Sequence, residues 1–315
     1  MKQASVLVIK PGLLTTVQDL GRFGHQAAGV PVAGPMDAFS HRLANQLVAN
    51  EPDAATLEVT LIGPELEVDI DTTIAIAGAN FEVSCGDRAV PMTTSFRISR
   101  GQRLRFGKRI QGARAYVGIA GGLQIRPILG SRATHLVSAM GGHEGRALVA
   151  GDRLPLLPEM QPDVTRKAVG LTLPTSGRAT LRVVPGPQAD WFPPDAIRAV
   201  SGVSFRISPR SNRMGYRLEG PPLARIRQSE LISEPVCMGA IQVPGAGEPI
   251  LLMADRQTAG GYPKIGHVIS ADLSLAGQLA PGDAIEFVTC TRQEAVAALI
   301  ARERQLLRSA LKDVS

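Results

Sequence analysis

The feature that most constrains this chain is its punctuation. Short runs of alternating apolar and polar residues are cut off repeatedly by glycine or proline, of which the 315 residues hold 33 and 23. Leu57, Val59 and Leu61 fall on one side of the run 56–62, which Gly63-Pro64 ends. Leu66, Val68 and Ile70 then alternate with Glu65, Glu67 and Asp69. A period of two over so few residues marks a half-buried strand. Similar runs fall at 5–9, 74–77, 103–106 and 116–119, then at 181–184, 203–207, 240–243, 250–254, 268–270 and 284–288. Many short strands between Gly/Pro turns predict a mainly β protein built as barrels or sandwiches. The polar, proline-containing stretch 155–174 predicts a linker. It separates an N-terminal β-rich half, 1–160, from a C-terminal β-barrel half, 175–315. The turn Gly101-Gln102-Arg103-Leu104 has relatives in Gly151-Asp152-Arg153-Leu154 and Gly282-Asp283-Ala284-Ile285, which hints at units of similar build.

Two segments carry helical spacing instead. Asp37 is placed to cap a helix that buries Phe39, Leu43 and Leu47, with Ala44 and Val48 beside them, before Asn50 and Pro52 end it. Thr291-Arg292-Gln293-Glu294 is a capping box. It opens a C-terminal amphipathic helix whose stripe is Val296, Leu299, Ile300, Leu307 and Leu311, expected to dock on its own domain, with a contact between subunits as the alternative.

Composition removes several functions. No apolar stretch approaches the roughly 20 residues of a membrane span. The first ten residues lack the apolar core of a secretory signal. Three widely spaced cysteines, Cys85, Cys237 and Cys290, fit a reducing cytoplasm, and the five histidines form no HExxH or HxH pair, so no metal site is expected. The net charge is +6, from 28 Arg and 6 Lys against 28 acids, but aromatics are only 4% and do not interleave with the charges. That argues against single-stranded nucleic acid. The basic stretch 97–114 reads as a solvated strand face, or as contact for an acidic partner or anionic substrate. No GxGxxG, Walker or GxSxG motif is present.

Chemistry concentrates in the second half. In Ser211-Asn212-Arg213-Met214-Gly215-Tyr216-Arg217-Leu218, Arg213 and Arg217 stand four apart, and two guanidinium forks near one point suit a carboxylate or phosphate. The alternative is ordinary surface arginine. The stretch 255–267 reads as a loop on a barrel rim, a usual place for a site. In it Asp255 can serve as a base or Mg²⁺ ligand, Gln257 and Thr258 as hydrogen-bonding groups, Gly260 and Gly261 as amide donors, and Lys264 as a point charge, with Tyr262 among them. A self-satisfied hairpin is the bland alternative. Near the N-terminus, Arg22 and His25 can reach a cleft.

These segments resemble the 5-oxoprolinase C-subunit family, also called KipA, allophanate hydrolase subunit 2 or biotin-dependent carboxyltransferase-like. The resemblance rests on Thr15-Thr16-Val17-Gln18-Asp19-Leu20-Gly21-Arg22, Gly34-Pro35-Met36-Asp37, Arg42-Leu43-Ala44-Asn45-Gln46-Leu47-Val48, Leu57-Glu58 and Ala77-Gly78-Ala79. It continues through Tyr116-Val117-Gly118-Ile119-Ala120-Gly121-Gly122, Leu129-Gly130-Ser131-Arg132, Gly186-Pro187-Gln188, the 211–218 segment, Ser233-Glu234-Pro235-Val236, Gly239-Ala240-Ile241-Gln242-Val243-Pro244 and 255–266. Ala259 and His143 depart from residues common among relatives, which bears on substrate preference. The resemblance implies two cyclophilin-like β-barrel halves and two partners, a KipI-like protein and a larger protein of the same enzyme. It also implies ATP-dependent opening of 5-oxoproline to glutamate with Mg²⁺. In that setting Arg213 and Arg217 would anchor an anion, Gln257 and Thr258 the lactam, Lys264 a phosphate, and Asp255 a water or metal. The alternatives are carboxyl transfer from carboxybiotin to urea or a related amide, and a non-enzymatic KipI-binding regulatory module.

Overall fold

The computed structural model describes residues 3–157, 166–168, 177–227, 229 and 231–309. Most of the expected linker and Leu311 lie outside the described residues. The chain divides into two compact units, one of Met1–Arg22, Ala33–Leu173 and Arg304–Ser315, the other of Phe23–Val32 and Pro174–Glu303.

The first unit contains β1 (Ser5–Lys10), β2 (Leu14–Gln18), α1 (Ala38–Leu47), β3 (Thr56–Thr60), β4 (Glu65–Val68), β5 (Thr72–Cys85), β6 (Arg88–Ala89), β7 (Ser95–Ile98), β8 (Arg103–Ile119) and β9 (Arg153–Pro155). They form a nine-stranded half-barrel sheet in the order β2-β3-β8-β4-β1-β9, with β5 on β8 and β6 and β7 on β5. Its alternating residues Val6, Val8, Leu57, Val59, Leu66, Ile74, Ile76 and Val117 make the core. The runs 103–106 and 116–119 belong to one strand of 17 residues. Gly107 and Gly112 interrupt the apolar pattern without ending the ladder, because β5 absorbs the irregularity as register shifts between Gly78 and Val83. Across β4 and β8, Arg103 pairs with Glu65 and Glu67, and Arg105 with Glu65. Part of the basic stretch is thus neutralised within its own sheet.

Asp37 caps α1 as expected, accepting from Ser40 N at 2.9 Å. Phe39, Leu43 and Leu47 pack on Ala75, Ala77 and Tyr116. The helix lies so close that a Cβ on Gly118 would stand 2.7 Å from Ala44 O. A polar network is sealed beneath it. Tyr116 Oη and Met36 N donate to Glu58 Oε2, each at 2.8 Å, and Asp37 N donates to Tyr116 Oη at 2.8 Å. His41 Nδ1 bonds Thr56 Oγ1 at 2.8 Å, and burial lowers the His41 pKa to about 4.

The second unit adds β10 (Arg178–Pro185), α2 (Pro194–Gly202), β11 (Ser204–Ile207), β12 (Gly215–Glu219), β13 (Glu234–Pro235), β14 (Ala240–Gln242), β15 (Ile250–Leu252), β16 (Ala259–Gly260), β17 (Lys264–Val268), α3 (Ser270–Gly277), β18 (Ala284–Thr289) and α4 (Arg292–Ser309), whose last turns count with the first unit. Seven strands close a barrel in the order β10-β17-β14-β15-β12-β11-β18, and β13 pairs with β16 in a separate two-stranded ribbon. The strand expected at 268–270 lies earlier, at Lys264–Val268, and α3 begins at Ser270. The stretch 255–267 is therefore not all loop. The capping box of α4 forms in both directions, Thr291 N donating to Glu294 Oε2 at 2.7 Å and Glu294 N to Thr291 Oγ1 at 3.2 Å. The expected stripe is largely uncovered: Val296 is 51% exposed and Leu307 61%, while Leu306 is the residue that packs, in the cluster around α1.

Candidate functional site: an arginine-lined pocket on the barrel

β12 alternates its side chains across the barrel wall. Tyr216 points inward, 1% exposed, its hydroxyl bonded to Ala276 O and Leu279 O, whereas Arg217 points outward. The Arg217 guanidinium lines a pocket of about 240 Å³ with Arg210, Asn212, Met214, Gly215, Gln242, Ile250, Leu252, Gln257 and Tyr262. Among the described residues, no carboxylate lines this pocket. It is a largely apolar cavity with donors around it, a chemistry suited to a small molecule that carries a carboxylate or a carbonyl oxygen.

The residues expected to act together are distributed differently. Arg213 turns away from Arg217 and makes a bidentate pair with Asp255, Nε to Oδ2 at 3.0 Å and Nη2 to Oδ1 at 2.9 Å, both side chains buried. This pair ties the turn before β12 to the start of the 255–263 segment. Asp255 is engaged as a structural counter-ion, and Tyr216 is a core residue. Gln257 reaches the pocket, Thr258 is half-buried and contributes its carbonyl to Val236 N, and Tyr262 is 49% exposed at the rim. Gly260 and Gly261 lie on and beside the ribbon. Arg22 belongs to the first unit, where its guanidinium donates to Ile128 O and Ala133 O and pins a loop. His25 lies in the 23–32 segment, leads a short 3₁₀ turn, and does not line the pocket.

Lys264 is not on a loop. It opens β17, is buried, and its Nζ pairs with Glu234 Oε1. Gln188 clamps the pair, donating to Glu234 Oε1 at 2.7 Å and accepting from Lys264 N at 3.1 Å. The Lys264 ammonium holds the Glu234 carboxyl below its usual range, and burial, with Lys264 next, lowers the His267 pKa. Gln242, Gln188, Glu234 and Arg210 carried no assigned role in the sequence, because sheet pairing rather than spacing brings them here. Among the described residues, no group of three or more His, Cys, Asp or Glu is arranged to hold a metal.

The carboxyltransferase domain family, subdomains A and B, matches residues 28–289. This chain belongs to that family. The C subunit of the 5-oxoprolinase of Escherichia coli (strain K12) is 38% identical over 94% of this chain and 95% of its own length. The urea amidolyase of Lachancea kluyveri is 34% identical over 93% of this chain, but only 17% of that larger protein is covered. The crystal structure of the K. lactis urea amidolyase superposes with a TM-score of 0.92 and 32% identity, over 100% of this chain and 20% of that one. The carboxyltransferase-family fold thus occurs both as a separate chain of this length and as one part of a longer enzyme.

Proposed function

We propose that this carboxyltransferase-family chain is one component of a multi-chain 5-oxoprolinase, and that its barrel pocket binds the carboxylate-bearing cyclic amide. The observation that carries this reading is the pocket's charge. Arg217, whose guanidinium has no ion pair or hydrogen bond among the described residues, lines the pocket together with Arg210, whose ion pair with Glu248 is long at 4.0 Å, and no carboxylate lines it among those residues. 5-Oxoproline carries a carboxylate for these arginines to meet. Its lactam edge then meets the Gln257 amide. A lactam resists attack through resonance, so the chain's contribution is to orient it and to offer donors where oxygen gains charge. Mg²⁺–ATP would activate the amide, but a pocket without carboxylates does not fit a protein-held Mg²⁺, and nucleotide is assigned to the partner chains.

The test is co-expression with the KipI-like and larger partners, followed by measurement of glutamate from 5-oxoproline with and without ATP. ATP-dependent release is expected. The relationship to urea amidolyase keeps a second reading: avidin-sensitive, urea-dependent activity with no glutamate release would put carboxyl transfer in its place.

A further inference from the structure

A buried amide donor and a buried ammonium stand on adjacent strands beneath the β13–β16 ribbon. Gln242 is 1% exposed, and its Nε2 has no partner among the described residues. Gln257 Nε2 donates to Gln242 Oε1 at 3.4 Å, which leaves Nε2 as the unused end of that amide. Lys264 is 2% exposed, and its Nζ is paired with the Glu234 carboxylate. The two residues face each other in register on β14 and β17, on adjacent strands of the closed barrel. A buried donor without an acceptor is costly, so the Gln242 amide is open to an acceptor that arrives later, beside an ammonium that already holds an anion.

The ribbon above is built to leave that space. A Cβ on Gly260 would stand 2.7 Å from Gln242 Nε2 and 3.1 Å from Gln257 Nε2, so a larger residue here would press on both amides. Glu234, paired with Gly260 across the ribbon, is the carboxylate that reaches in, and its side chain is 35% exposed while that of Lys264 is 3%. It therefore sits at the boundary between solvent and the buried donors.

We propose that Gln242 Nε2 and Lys264 Nζ form an oxyanion-binding pair, and that Glu234 is a built-in stand-in anion displaced when a substrate oxyanion enters. This inference rests on the barrel-pocket reading above and adds to it a gate and two donors. Displacement needs only a shift of the two-residue ribbon, whose pairing is confined to Glu234–Gly260 and Pro235–Ala259. The Gln188 amide remains to receive the released carboxylate.

The experiment is calorimetric titration of the whole chain with 5-oxo-L-proline and, separately, with inorganic phosphate. Glu234→Gln removes the competing charge and is expected to tighten binding roughly tenfold. Gln242→Met removes the waiting donor and is expected to weaken binding by about tenfold. Its melting temperature should hold or rise, since an unsatisfied buried amide is lost. A structural glutamine would instead give a lower melting temperature with unchanged affinity. Phosphate binding without 5-oxoproline binding would mark the pair as a phosphate seat, still displacing Glu234. The proposal is overturned if Glu234→Gln binds neither anion, or if wild type and both variants bind equally. The barrel-pocket reading fails separately, if Arg217→Lys leaves the assembled enzyme's kinetics unchanged.

Discussion

Arg217 and Arg213 illustrate how four residues of spacing can separate two roles. Both are guanidiniums on one short segment, yet one lines a pocket and the other is locked to Asp255. Arg217→Lys keeps the charge but loses the planar fork. In the assembled enzyme we expect kcat/KM for 5-oxoproline to fall roughly 10- to 150-fold, with the melting temperature unchanged. Steady-state kinetics and a melt on one preparation check this. A parallel loss of stability would instead make Arg217 structural. His41 supplies a different signal. Its folded pKa of about 4 lies below the ordinary 6.5, so the unfolded chain takes up a proton that the folded chain refuses. The resulting stability is complete above pH 6.5 and is lost as pH falls toward 4, by roughly 3 kcal/mol in all. Urea unfolding between pH 4 and 7 should show this slope in wild type and a shallower one in His41→Gln. Equal slopes in the two proteins would show that another group is responsible.

Among the elements, the segment from Asp255 to Lys264 departs furthest from a simple rim loop. It starts at a buried ion pair, passes through the β13–β16 ribbon and ends on a barrel strand. Removing one member of a buried pair leaves the other charged and unpaired, at a cost of about 3–5 kcal/mol. Arg213→Ala should therefore lower stability by that order, or prevent folding, and denaturant titration reads it. The double replacement Arg213→Met with Asp255→Leu should recover much of the loss. α4 behaves in the opposite way. Val296, Leu299 and Ile300 are already solvent-exposed. Replacing all three with serine should shift stability by about 1 kcal/mol or less, since exposed side chains contribute little. A large loss would mean that this face is covered in solution.

For the whole molecule, the pocket lies within one unit and, among the described residues, has no carboxylate for a metal-bound nucleotide. The isolated chain should release no glutamate from 5-oxoproline in the presence of ATP, while the co-expressed assembly should. Turnover by the lone chain would refute the reading of a site shared with partners. Among the described residues, no helix is long and apolar enough to cross a membrane.

Local chemistry was enough to read the strands, the Asp37 cap and the Thr291–Glu294 box, because each depends on residues within one turn or one pleat. The family was legible too, through motifs spread in order along the chain, and with it the region that holds the pocket. Tertiary structure alone decided which polar residues meet. Arg213 and Asp255 are 42 residues apart and pair with each other. Lys264 and Gln188 are 76 apart, and Gln242 reaches the same place through strand pairing. Sequence spacing cannot convey such meetings, because a closed barrel makes neighbours of strands distant in the chain, and burial then determines which charges must pair and which donors remain unused.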